Sequence, residues 1–128
     1  MNNEIRDKMR NIVEKAKKDK DILALALFGS SLKGKGRDID LCLYLKRKMT
    51  NREMSRKKIE FSGRAKNDVD IQIFQQLPMY IRIRVVREGM ILFCKDEGLL
   101  YEIAFRTIKE FNLYEKVYEM YLERVKNG

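Results

Sequence analysis

Histidine is absent from the 128 residues of this chain. Its absence excludes imidazole general-base catalysis and any metal site that depends on imidazole nitrogen. Cysteine is scarce: Cys42 and Cys94 are the two present, too few to form a thiolate zinc site by themselves. Both lie inside apolar runs, LCLYL and ILFCK, and read as reduced core residues of a cytoplasmic protein rather than as a disulfide. With nitrogen and sulfur donors so limited, any metal must be held mainly by oxygen, which selects a hard ion such as Mg²⁺ or Mn²⁺. Long hydrophobic runs are missing as well. No stretch approaches the roughly 20 apolar residues of a membrane span, and the N-terminus, MNNEIRDKMR, is charged from its first turn. Neither a membrane association nor a secretion signal is expected.

What the chain has is charge and apolar patterning. Its 28 basic and 19 acidic residues leave a net charge of +9. A field of that sign draws nucleotides, nucleic acid or an acidic protein, and a solvated lysine-rich surface produces the same count. The length fits one domain spanning residues 1–128. Ile5, Met9, Ile12, Val13 and Ala16 recur at helical spacing over 3–19. DILALALF (21–28) is a short apolar run that stops at Gly29 and reads as a buried strand. DIDLCLYL (38–45) and DVDIQIF (68–74) alternate with the strand period. Between them, 50–61 reads as a short helix with Thr50 as cap and Glu53 at the capping-box position, followed by a loop through Gly63. Pro78, the single proline, suits the first turn of a helix that Gly89 ends. MILFC (90–94) reads as the last strand and 97–126 as helix, with Asn112 as a point where it breaks in two. This order predicts an α+β (mixed α/β) fold with a mixed central sheet of about four strands flanked by helices. A doubly wound fold is disfavoured, since the connection between the second and third strands is short and no G-x-G-x-x-G follows a strand.

Three short motifs carry chemistry. Gly29-Ser30 sits directly after a strand, where glycine admits close backbone approach and the serine hydroxyl with the following amides grips phosphate. A turn and helix cap explain the same pair. In Asp38-Ile39-Asp40 the two carboxylates point the same way on a strand, either into a cleft or simply to water. Asp70, in DVDIQIF, sits on a strand patterned like that of Asp40; if the two strands pair, Asp40 and Asp70 share a face about 5 Å apart. Asp68 is nearer the strand mouth and ranks below it. Acids this close repel by about 3 kcal/mol per pair at an effective dielectric near 20, which a divalent cation carrying nucleotide phosphates would relieve.

With these motifs in order, LFGSSLKGKGRDIDLCLYL followed by DVDIQIF resembles the polymerase-beta-like nucleotidyltransferase superfamily, and within it the minimal nucleotidyltransferase (MNT) antitoxins. The resemblance covers 21–75 and implies the nucleotidyltransferase fold. It also implies that Asp38, Asp40 and Asp70 are catalytic and hold Mg²⁺ or Mn²⁺. By the same resemblance, Gly29 and Ser30 grip the nucleotide, and Lys33 meets the triphosphate as a point charge where relatives carry arginine. Seven residues separate Ser30 from Asp38, a shorter stretch than is common in the family, and Lys35 and Arg37 lie within it. The activity implied is AMP transfer from ATP to a tyrosine of a HEPN-type toxin, which neutralises it. Two alternatives stay open: transfer to a nucleic-acid end or small molecule, and a non-catalytic module that binds a toxin or self-associates. Nucleic acid is the less favoured acceptor, since no second domain to bind it is evident. The tyrosine-bearing stripe Tyr114, Tyr118 and Tyr121 reads either as a partner-binding face or as a core stripe with wet hydroxyls.

Overall fold

The computed structural model describes residues 3–29, 39–65 and 69–127. In chain order they form α1 (Asn3–Lys18), β1 (Ile22–Phe28), β2 (Ile39–Leu45), α2 (Asn51–Ala65), β3 (Val69–Ile73), α3 (Met79–Glu88), β4 (Met90–Cys94) and α4 (Glu97–Asn127). The four strands make one mixed sheet in the order β3-β2-β1-β4. β1 runs antiparallel to both β2 and β4, and β2 runs parallel to β3. The sheet is mixed, as expected, although the β2–β3 connection is long enough to hold the 15-residue α2 and return parallel.

Strand alternation builds two cores. Leu25 and Leu27, Leu41, Leu43 and Leu45, and Ile71 and Ile73 face one way and pack with Ile12 and Ala16 of α1 and Met54 and Phe61 of α2. Ala24, Ala26, Cys42 and Tyr44 face the other way, toward Val85 of α3 and Leu99, Leu100 and Ile103 of α4. A register shift between Ile22 and Ala24 puts Leu23 on the same side as Ala24, as a bulge does. Tyr44 stacks on Phe74, ring centroids 4.3 Å apart. Burial pushes the Cys42 thiol and the Tyr44 phenol well above their ordinary ranges, so both stay neutral. Both cysteines are free thiols, as their apolar surroundings predicted.

Local signals mark most element ends. Thr50 Oγ1 accepts from the Glu53 amide and Glu53 Oε1 accepts from the Thr50 amide, both at 3.1 Å, the expected capping box. The helix it opens runs through Gly63 instead of looping there. Phe61 is buried and anchors its last turns, while Gly63 faces open space, where glycine costs a helix only about 1 kcal/mol. Asn112 likewise fails to break α4, which is continuous over 31 residues. The first half of α4 packs on the sheet and on α3, through buried Thr107, an Arg82–Glu110 pair at 3.6 Å and Arg87 over the Phe111 ring at 5.2 Å. Beyond it the stripe Tyr114, Val117, Tyr118, Tyr121 and Val125 is 50–63% exposed; it is a surface, not a core. Among the described residues no helix is long and apolar enough to cross a membrane.

A charged latch closes the end of the sheet where β1 begins. Lys57 of α2 reaches Asp19 at 2.8 Å and Asp21 at 3.2 Å, and Arg47 meets Asp21 at 2.8 Å. Asp21 is only 8% exposed. The Arg47 hydrogen bond, aided by Lys57 and opposed by burial, holds its carboxyl below the usual range. A lowered native value means the stabilisation is complete above the unfolded value, about 3.9, and is lost as pH falls through the folded value. Asp21→Asn therefore lowers stability at neutral pH by about 1–2 kcal/mol. The gap between wild type and variant narrows as pH falls below about 4. Urea unfolding at pH 7 and at successively lower pH measures both effects.

Candidate active site

At the far end of β1 the chain leaves the sheet through Phe28 and Gly29. Phe28 is paired with Asp40 across the antiparallel ladder, which brings the Gly29 backbone against the Asp40 side chain. Gly29 has φ +81°, and a Cβ built on it would overlap the Asp40 carboxylate. Both the left-handed backbone and the close approach therefore require glycine here.

Asp40 and Asp70 are each the second residue of their strand and are direct partners in the parallel ladder of β2 and β3. Facing partners share a side of the sheet, and adjacent strands lie about 4.8 Å apart. Beneath the acids come Cys42 and Gln72, also paired, and then the Tyr44–Phe74 stack. The acids therefore sit where an apolar floor ends and water begins, Asp40 half-buried and Asp70 exposed. Gln72 donates from Nε2 to Asp70 Oδ2 at 3.0 Å and accepts at Oε1 from Lys58 Nζ at 3.2 Å. Neither Lys58 nor Gln72 was singled out from sequence. For Gln72 the available signal was its place two residues beyond Asp70 on the same strand face.

Of the expected site residues, Gly29, Asp40 and Asp70 converge. Ser30, Lys33 and Asp38 lie outside the described residues, as do Lys35, Arg37 and Asp68. Among the described residues no group of three acidic, histidine or cysteine side chains forms a metal cage. Two carboxylates side by side at a water-facing sheet end nevertheless fit a hard divalent ion, whose ligands are oxygens. An open groove of about 700 Å³ lies on the projecting half of α4, beside Val117, Met120, Tyr121 and Arg124. It holds none of this chemistry.

Comparison with known proteins gives the family and the fold. The profile of the family "Polymerase beta, Nucleotidyltransferase" matches residues 10–98. A Methanocaldococcus jannaschii protein named "putative protein adenylyltransferase" is 31% identical over 98 residues, covering 74% of each chain. Two solved structures share the fold. One is a chain from a toxin–antitoxin crystal structure with AMP-PNP, at TM-score 0.68 and 18% identity, covering 93% of this chain and 96% of that one. The other comes from the tri-AMPylated Shewanella oneidensis HEPN toxin in complex with MNT antitoxin, at TM-score 0.67 and 17% identity, covering 98% of both chains.

The contact between Gly29 and Asp40 is measurable as an energetic coupling. Gly29→Ala should destabilise the protein by about 2 kcal/mol through backbone strain and the carboxylate collision. In an Asp40→Ala background the collision is gone, and the same change should cost about 1 kcal/mol. Equal costs in both backgrounds, read by denaturant melts, would contradict the contact.

Proposed function

The chain belongs to the polymerase beta nucleotidyltransferase family, and from that premise we propose that it transfers AMP from ATP to a tyrosine of a HEPN-type toxin in the cytoplasm. The observation that carries the reading is the in-register pair Asp40 and Asp70 beside Gly29. Asp38, Asp40 and Asp70 would hold Mg²⁺ or Mn²⁺, and Gly29, Ser30 and Lys33 would hold the triphosphate. The bound ion supplies charge neutralisation for the phosphates and eases ionisation of the acceptor hydroxyl.

In this reaction the tyrosine oxygen attacks the α-phosphorus of ATP. A phosphorus–oxygen bond to tyrosine forms, the bond to the bridging oxygen breaks, and pyrophosphate leaves. The phenolic proton is lost to water as this bond forms, a loss that Asp70 favours. A phenol ionises near pH 10, far more readily than a sugar hydroxyl, which favours tyrosine as acceptor. The protein contributes position and preorganised charge.

The relatives support the acceptor and the partner: one is named a putative protein adenylyltransferase, and another structure pairs an AMPylated HEPN toxin with an MNT antitoxin. The projecting half of α4 offers a partner surface, with Leu113, Val117, Met120 and Tyr121 each more than half exposed. Contiguous apolar patches of this kind mark protein-binding sites.

The test incubates the chain with labelled ATP and Mg²⁺, offering a cognate HEPN toxin or bulk tRNA, with mass spectrometry of the products. AMP should appear on toxin tyrosine, and Asp40→Asn or Asp70→Asn should each lower transfer by more than about 100-fold. Label on RNA ends with the toxin unmodified would replace this reading with a nucleic-acid-directed enzyme. Tight toxin binding with no label would make the chain a binding module.

A further inference from the structure

Asp70 stands on β3, an edge strand of the sheet, and is exposed. A carboxylate in that position has two torsions free to turn unless something holds it. The hydrogen bond from Gln72 engages Oδ2 at 3.0 Å. Among the described residues no hydrogen bond reaches the other oxygen, Oδ1, which leaves it available to a ligand.

The amide that holds Asp70 is itself held. Gln72 Oε1 accepts from Lys58 Nζ at 3.2 Å. An ammonium can only donate and a carboxylate can only accept. One orientation of the amide satisfies both neighbours; the flipped one sets NH₂ against ammonium and carbonyl against carboxylate. Lys58 therefore dictates which end of Gln72 meets Asp70. Lys58 is placed by α2, which is fastened through buried Met54 and Phe61 and through the Lys57 ion pairs with Asp19 and Asp21.

The amide spacer has a further consequence. A lysine paired directly with Asp70 would occupy the carboxylate and compete with a cation. With Gln72 between them, the ammonium lends a positive field while the second carboxylate oxygen stays available.

We propose that Lys58 and Gln72 act as a positioning relay that presents the Asp70 carboxylate to the bound cation and nucleotide. The inference rests on the reading of Asp70 as a site carboxylate. It assigns no contact between either relay residue and the substrate.

Five variants and two readouts test it: Mn²⁺ affinity in the presence of AMP-PNP, followed by electron paramagnetic resonance, and steady-state AMP transfer. Gln72→Met should weaken Mn²⁺ binding and lower kcat by about 10- to 100-fold, with the KM for ATP shifted less than about 3-fold. Lys58→Met should move both in the same direction by a smaller factor, and Lys58→Arg, which keeps a donor, should restore them. The double variant should be no worse than Gln72→Met alone, because Lys58 acts through Gln72. Thermal melts confirm that each variant is folded, and Lys58→Met carries the test if Gln72→Met does not fold. Wild-type Mn²⁺ affinity and kcat in the Met variants, or additive losses in the double variant, would overturn the relay. Asp70→Asn separates the two levels. If it abolishes Mn²⁺ binding while the relay variants do not, only the relay fails; if it leaves binding intact, the site reading fails and the relay with it.

Discussion

The parallel ladder between β2 and β3 sets Asp40 opposite Asp70, and it exists because α2 carries the chain back across one face of the sheet. A parallel neighbour needs such a crossover. The register of this ladder is held by groups remote from the acids. A slip of one residue would turn Ile71 and Ile73, both buried, out of the core and Asp70 into it. A slip of two would keep the faces but lose other contacts. It would separate Phe74 from Tyr44 and pull the Gln75 side chain from the Leu45 backbone, to which it bonds at 3.1 and 3.2 Å. Apolar packing and one side-chain amide thus hold two like charges side by side.

That arrangement works against stability. Two carboxylates about 5 Å apart at an effective dielectric near 20 repel by about 3 kcal/mol. The Lys58 ammonium, one amide removed from Asp70, offsets part of the repulsion, and a divalent ion would reverse it. The other end of the sheet has the opposite character. There Asp19, Asp21, Lys57 and Arg47 are paired opposite charges, which fasten the α1–β1 turn to β2 and α2. The sheet therefore has one end where opposite charges are paired and one where two like charges stand side by side, a division expected where a fold carries a reactive site.

Much of this was legible in the residue pattern. The alternation of Ile39, Leu41, Leu43 and Leu45 with Asp40, Cys42 and Tyr44 reports faces directly, and the two cores follow it. Gly29 after an apolar run marked a glycine-requiring turn, though its close contact is with Asp40, and Thr50 with Glu53 marked the start of α2. Other features were hidden for physical reasons. Parity tells which face a strand residue takes but not which way the strand runs, so the parallel pairing of β3 did not follow from it. Gly63 and Asn112 are poor helix residues, but each costs a helix only about 1 kcal/mol or less, and both helices run through them. Heptad-like spacing along α4 reports a stripe, not what covers it, and so left a core and a surface indistinguishable. Lys58 meets Gln72 only because tertiary packing seats α2 beside β3; no local pattern encodes that contact.

The central claim is that Asp40 and Asp70 serve one cation jointly, and the most direct measurement is the thermodynamic coupling between them. Mn²⁺ affinity with AMP-PNP present would be measured for wild type, Asp40→Asn, Asp70→Asn and the double variant. If the two carboxylates share an ion, each single change removes most of the affinity and the second adds little to the first, a strongly non-additive cycle. Losses that simply add, or a single variant that binds as tightly as wild type, would show that the two acids do not hold a common ion and would contradict the account.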